Sequence, residues 1–224
     1  MTEVSAIGGL IFDLDGTLVD SLADIADGME HVLARRGLPG HPRDAYRRFV
    51  GDGVRRLVAR ATPPEVHGRL DALVDSFRER YFAHGLDQTH PYDGVEPLLA
   101  RCAAAGIPMA VVSNKPHALA VEVVAALLGD TPFAAVIGQR DGVPHKPDPR
   151  GALEAAEAMG VSPAAVAFVG DSGVDVETAR RAQMRAVAVT WGFRGRDELA
   201  AAGPDHMVDS PAELWDLIGL GRRA

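Results

Sequence analysis

Lysine is almost missing from this 224-residue chain: two of its 23 cationic residues are lysine, Lys115 and Lys146, and the others are arginine. Arginine is a planar donor fork and lysine a compact point charge, so each lysine position calls for an explanation. Cysteine is scarcer still. The single Cys102 excludes an intramolecular disulfide, and its place in the apolar run 98–105 predicts a buried core thiol rather than a catalytic one. No apolar stretch reaches the length of a membrane span. The run 7–12 contains Gly8 and Gly9, follows Glu3 and stops at Asp13, too short and too soon charged for a signal peptide, so a cytoplasmic protein is expected. Cationic excess is lacking too. A net charge of −8 repels phosphate backbones and anionic lipid, so neither nucleic acid nor membrane is an expected partner. The sequence contains no internal repeat and no low-complexity segment. What remains is ordinary globular composition, 47% apolar and 24% charged, which argues against disorder or a disulfide scaffold. The length suits one large domain or a domain carrying an insertion.

Residues 7–12 read as a buried strand that ends abruptly at Asp13 and Asp15. Leu22, Ile25, Met29, Val32 and Leu33 then recur at helical spacing up to a stop at Gly37. Further helices are predicted over 43–50, 54–60 and 64–84, so the pattern from 21 to 88 is helical throughout. After Pro91 the rhythm changes. Helices over 94–105, 117–128, 148–159 and 174–182 alternate with strands over 107–112, 134–137, 165–169 and 186–189. Near-continuous apolar strands separated by helices indicate a parallel sheet covered on both faces. The expected fold class is α/β, a doubly wound parallel-sheet (Rossmann-like) core whose first strand is split from the rest by an all-helical insertion.

In such a sheet the ligand site lies outside the carboxyl ends of the strands. The residues there are Asp13, Asp15, Gly16 and Thr17 after the first strand, Ser113 and Asn114 after the second, and Gly170, Asp171, Ser172 and Asp175 after the fourth. Lys146 precedes the helix that follows the third. Asp13 and Asp15 alone would suit a turn or a helix cap. With Asp171 they crowd negative charge that calls for a bound cation, and an all-oxygen donor set without a His/Cys cluster suits Mg²⁺ better than Zn²⁺. A metal, glycine amides and the Ser113 hydroxyl together make a phosphate site. A carboxylate can act as nucleophile there, with Lys146 holding it, although a lysine between Pro144 and Pro147 would also suit an exposed loop. Lys115 is read only as a cation at a helix start.

Four segments carry a resemblance. Phe12-Asp13-Leu14-Asp15-Gly16-Thr17-Leu18-Val19-Asp20-Ser21, Val112-Ser113-Asn114-Lys115, His145-Lys146-Pro147-Asp148-Pro149 and Val169-Gly170-Asp171-Ser172-Gly173-Val174-Asp175 are similar, in order and spacing, to the motifs of the haloacid dehalogenase-like hydrolases. The stretches Phe49-Val50-Gly51-Asp52-Gly53-Val54 and Val189-Thr190-Trp191-Gly192-Phe193 resemble the phosphoglycolate phosphatase branch. The resemblance implies a core over 1–17 and 89–224 and a helical cap domain over 18–88. It implies a Mg²⁺-dependent phosphatase acting on a small phosphorylated metabolite, 2-phosphoglycolate first, through an aspartyl-phosphate. Asp13 would be nucleophile and metal ligand. Asp15 would give a backbone carbonyl to the metal and its carboxyl as general acid, then base. Ser113, Asn114 and the amides near Gly16 and Thr17 would hold the phosphate. Lys146 would pair with Asp13, and Asp171 and Asp175 would complete the metal site or orient it.

Related chemistries leave marks that can be sought. A Schiff-base phosphonatase needs a cap lysine, and none precedes Lys115. A β-phosphoglucomutase-like cap usually sets a lysine and a histidine over the substrate. Here only His31, His41, His67 and His84 remain, expected on solvated helix surface. A pyrophosphatase or nucleotidase stays open, and so does a non-enzymatic phospho-acceptor module, which needs neither cap nor general acid. Arg55 and Arg56 would either recognise a small carboxylate or lie on an exposed helix face.

Overall fold

The computed structural model describes residues 7–220. Glu3 lies outside the described residues. In chain order, strand β1 (Gly9–Phe12) and the two-residue β2 (Val19–Asp20) lead into helices α1 (Leu22–Arg35), α2 (Tyr46–Phe49), α3 (Val54–Ala61) and α4 (Leu70–His84). A second two-residue strand, β3 (His90–Pro91), brings the chain back. Then follow α5 (Val95–Ala104), β4 (Met109–Pro116), α6 (His117–Leu128), β5 (Phe133–Gln139), α7 (Arg150–Met159), β6 (Val166–Gly170), α8 (Gly173–Arg181), β7 (Arg185–Val189), α9 (Arg196–Ala202), β8 (His206–Val208) and α10 (Pro211–Leu220). Among the described residues no helix is long and apolar enough to cross a membrane.

Period-two alternation along the strands builds two cores, one on each face of the sheet. Leu10 and Phe12 of β1, Met109 and Val111 of β4, and Val187 and Val189 of β7 join one apolar cluster; Ile11, Ala110, Val112, Ala186 and Ala188 join the other. The first cluster is covered by α5, α6 and α10 through residues such as Leu98, Val123 and Ile218, with Cys102 fully buried among them. The second meets α7 and α8, whose alanines Ala152, Ala155, Ala156 and Ala179 let these helices lie close to the strands. The six strands run in the order β5-β4-β1-β6-β7-β8, all pairs parallel. The sheet is therefore doubly wound, with β1 in register with β4 on one side and β6 on the other. Their carboxyl ends, where Asp13, Ser113 and Asp171 sit, lie side by side.

The helices between β2 and β3 have an apolar core of their own, built by α1 (Ile25, Met29, Leu33), Tyr46, α3 (Leu57, Val58, Ala61) and α4 (Leu73, Phe77, Tyr81). Among the described residues, only Leu119 and Phe193 join that cluster from the sheet side. The two crossings between the layers are β2 and β3, paired antiparallel, Val19 with Pro91 and Asp20 with His90. Asp24 in α1 fastens them: its buried carboxylate accepts from the Gln88 and Thr89 amides and from Thr89 Oγ1.

Three details depart from the sequence expectation. The helix expected over 64–84 begins as a 3-10 turn, Pro64–Arg69, and becomes α-helical only at Leu70. The expected helix 43–50 is likewise a 3-10 turn running into the short α2. Beyond 189 the chain adds α9, β8 and α10, which extend the sheet past its expected edge. β8 is only three residues long and includes His206, too short for a period to register.

Candidate active site

Strand β4 does not end where its apolar run does. Between Val112 and Pro116 it takes four steps while its partner β5, from Ile137 to Gln139, takes two. This bulge re-aims three consecutive side chains at the sheet edge. Ser113, Asn114 and Lys115 all lie buried there, beside the end of β1. The chain after β1 turns sharply, the Thr17, Leu18 and Val19 amides converging on the Leu14 carbonyl. Gly16 occupies the turn with φ +87°, and a Cβ there would collide with the Asp171 carboxylate.

Asp13, Asp171 and Asp175, all buried, each place a carboxylate oxygen within 4.8 Å of the others. Lys146 Nζ lies 2.8 Å from Asp13 Oδ1 and 2.7 Å from Asp175 Oδ1. Asp13 Oδ1 also accepts from the Leu14 amide at 2.7 Å, and neither contact uses Oδ2. Asp175 Oδ2 accepts from Ser172 N and Oγ, closing the capping box that starts α8, so this carboxylate both orients the lysine and begins the helix. Asp171 Oδ2 accepts from the Phe193 amide at 2.6 Å. One ammonium pairs with two of these three buried carboxylates. Burial pushes Asp13 up to about 7, with Lys146 opposing and Asp175 adding to the rise. Burial and the neighbouring Asp175 and Asp13 push Asp171 up to about 8. Burial works against the charge of Lys146, but Asp13 and Asp175 outweigh it and hold its pKa above the usual lysine value. The donor set fits a hard divalent cation: buried oxygens only, and more negative charge than the lysine neutralises.

Asp15 faces another way. Its Oδ1 accepts from Ser21 Oγ at 2.6 Å and from Lys115 Nζ at 2.8 Å, so its carboxylate stands outside the cluster of three. Lys115 is no helix-start cation at the surface; it is 6% exposed and also donates to Tyr81 Oη of α4 at 2.7 Å. Burial pushes the Tyr81 hydroxyl up to about 12, with Lys115 opposing, so it stays protonated. Ser113 Oγ accepts from the Lys115 amide. Asn114 is a clamp rather than an open donor: its amide nitrogen binds the Gly51 and Lys146 carbonyls, and its Oδ1 accepts from the Lys146 amide. The Gly16 amide is spent on the Val19 carbonyl, which removes one donor expected for phosphate. Thr17 is buried, its carbonyl accepting from Trp191 Nε1, while its Oγ1 has no partner.

Between sheet and helices lies a cavity with room of about 50 Å³ for water-sized occupants. Asp13, Asp15, Ser113, Asn114 and Lys115 form its floor; Ile25, Val50, Val54, Leu57, Phe77 and Tyr81 form its wall and roof. Arg55 does not reach it, and its expected substrate contact is corrected. α3 buries Leu57, Val58 and Ala61, so helical spacing turns 55 and 56 outward. Arg55 pairs with Asp71 and Arg56 with Asp52, both arginines exposed. The four histidines of the helices stay off the cavity as well; His41 bonds the Ala61 carbonyl and His84 pairs with Asp87. Across the seam Arg47 donates to the Gly192 carbonyl and Arg194 to the Val50 carbonyl. Sequence reasoning missed Tyr81 and the placement of Lys115, and the rarity of lysine was the available signal for the latter.

The haloacid dehalogenase-like hydrolase family profile matches residues 7–183. A phosphoglycolate phosphatase of Chromobacterium violaceum is 35% identical over 220 residues, 96% of this chain and 98% of the relative. An N-acetylmuramic acid 6-phosphate phosphatase of Pseudomonas aeruginosa is 36% identical over 216 residues, 93% of each chain. A crystal structure from Lactobacillus delbrueckii subsp. bulgaricus, provisionally named a phosphoglycolate phosphatase, superposes with a TM-score of 0.89 at 27% identity, covering 95% of this chain and 98% of that one.

Proposed function

The chain belongs to the haloacid dehalogenase-like hydrolase family, and from that premise we propose that this phosphoric monoester hydrolase acts on 2-phosphoglycolate or a similarly small ester, with Mg²⁺ and through an aspartyl-phosphate on Asp13. The observation that carries the reading is the asymmetry of Asp13: Lys146 and the Leu14 amide hold Oδ1, while the residue lines the cavity. Oδ2 attacks phosphorus, and the bond to the leaving oxygen breaks. The departing alkoxide takes its proton from Asp15, whose Oδ1 is fixed by Ser21 and Lys115. Asp15 then accepts a proton from the water that attacks the same phosphorus, releasing phosphate and restoring Asp13. The Ser113 hydroxyl donates to a phosphoryl oxygen and Lys146 balances the charge that builds there. Asp13 and Asp171 would hold Mg²⁺ together with the Asp15 carbonyl, Asp175 joining them or orienting Lys146, and the ion when bound would neutralise phosphoryl oxygens. The helices over 18–88 act as a cap, parting at the β2/β3 crossing to admit substrate and closing to exclude water.

The small cavity favours a compact ester over an amino-sugar phosphate, whose many hydroxyls would face the apolar wall unpaired. The test is turnover of a panel of phosphate esters by the purified protein with Mg²⁺, compared by kcat/KM. Turnover led by 2-phosphoglycolate and lost in Asp13→Asn is expected. No turnover of any ester above background sinks the enzyme reading in favour of a phospho-acceptor module.

A further inference from the structure

Two of the polar groups that meet the cavity have donors left over. Lys115 Nζ carries three hydrogens and spends one on Asp15 Oδ1 and one on Tyr81 Oη. Tyr81 Oη accepts that bond and so keeps its own hydrogen. Both side chains are more than nine-tenths buried and both line the cavity. The other side chains of the wall and roof are apolar, from Ile25, Val50, Val54, Leu57 and Phe77, Gly51 and Gly53 add backbone only, and Arg55 and Arg56 face solvent. A buried donor without an acceptor costs free energy, so these two, Lys115 on the floor beside Asp15 and Tyr81 above it, mark a place for an oxygen-bearing anionic group.

We propose that Lys115 and Tyr81 form a carboxylate-binding subsite, which selects phosphate esters carrying a carboxylate next to the ester carbon. The inference rests on the phosphatase reading above and names its substrate class. The ammonium and the phenol donate to the carboxylate, one from the sheet and one from α4, so that bound substrate ties the helical layer to the sheet. The surrounding apolar wall strengthens these charge-assisted bonds and offers nothing to a hydroxyl-rich sugar.

The experiment measures binding apart from turnover. Asp13→Asn protein with Mg²⁺ is titrated calorimetrically with 2-phosphoglycolate and with ethyl phosphate, which puts a methyl where the first has a carboxylate. The expected preference for 2-phosphoglycolate is at least about tenfold, the scale of a hydrogen bond to a charged group. Tyr81→Phe, which removes one hydroxyl and leaves the ring, lowers that preference roughly fivefold, and Lys115→Met abolishes it. Equal affinity for the two ligands, binding of neither, or a preference that survives both substitutions overturns the subsite. Turnover of ethyl phosphate by the unmodified protein decides separately whether the phosphatase reading stands: a carboxylate preference with no turnover of any ester keeps the subsite and removes the enzyme.

Discussion

The sheet edge and the helical layer face the same cavity with opposite chemistry. At the sheet edge most charged and amide side chains hold one another: Lys146 to Asp13 and Asp175, Asn114 to Gly51 and Lys146, Asp171 to Phe193, Ser172 to Asp175. The helical layer offers an apolar wall, one phenol and backbone glycines, and sends its cations outward. The difference assigns the work. In the proposed mechanism the groups that make and break bonds need fixed positions and low local dielectric, which the edge of a parallel sheet supplies. Groups that discriminate need only shape and a few donors, and in the proposed mechanism the helical layer supplies most of that shape.

This contrast can be broken most severely from the sheet side. Asp13→Asn removes the proposed nucleophile and is expected to lower kcat by at least about 10⁴-fold and to abolish phosphoenzyme detectable by acid quench; a variant that still turns over refutes the assignment. Lys146→Met leaves Asp13 and Asp175 buried without a counter-charge. It should lower kcat by roughly 10²- to 10³-fold and destabilise the metal-free protein by about 3 kcal/mol in urea unfolding.

Gly53→Ala tests the seam. Gly53 has φ +88°, a conformation strained for any L side chain, and an added Cβ would also push on the His145 ring across the seam. A drop in kcat/KM of about tenfold with intact secondary structure is expected, and stopped-flow kinetics should place the loss in a conformational step. The carboxylate cluster predicts a pH effect. The folded pKa values of Asp13 and Asp171, about 7 and 8, lie above the ordinary 3.8, so the folded metal-free protein holds more protons than the unfolded chain between about pH 4 and pH 8. Its stability from these groups therefore falls as pH rises through that window. Mg²⁺ should raise Tm more at pH 8.5 than at pH 5.5; an equal shift at both would remove the cluster from metal binding. Arg55→Ala sharpens the comparison from the other side: it breaks an exposed pair with Asp71, and kcat/KM should stay within about twofold.

Much of the sheet edge was legible beforehand because its residues follow apolar strands directly. A run such as 166–169 stops at Gly170 and Asp171, and the position after a parallel strand fixes where those side chains must be. The helical layer was legible only as helices. Periodicity shows which face of α3 is buried, yet Arg55 remained open because the orientation of α3 toward the cavity depends on its packing against α4. The short β2, β3 and β8 left no pattern, being too brief for a period to register. Tyr81 carries no local mark of function: on α4 it continues the apolar stripe of Leu73, Val74 and Phe77.

The sequence by itself determined the doubly wound sheet, the split between sheet and helices, and the four segments that meet at one edge, because strand period, helix period and strand-end position are local properties of a chain. Only the tertiary structure decided how the two rare lysines differ. Lys146 binds two carboxylates within the sheet edge, while Lys115 reaches from Asp15 to a tyrosine 34 residues away in sequence. That distinction comes from the bulge in β4 and the seating of α4 above it, and both depend on contacts between segments remote along the chain.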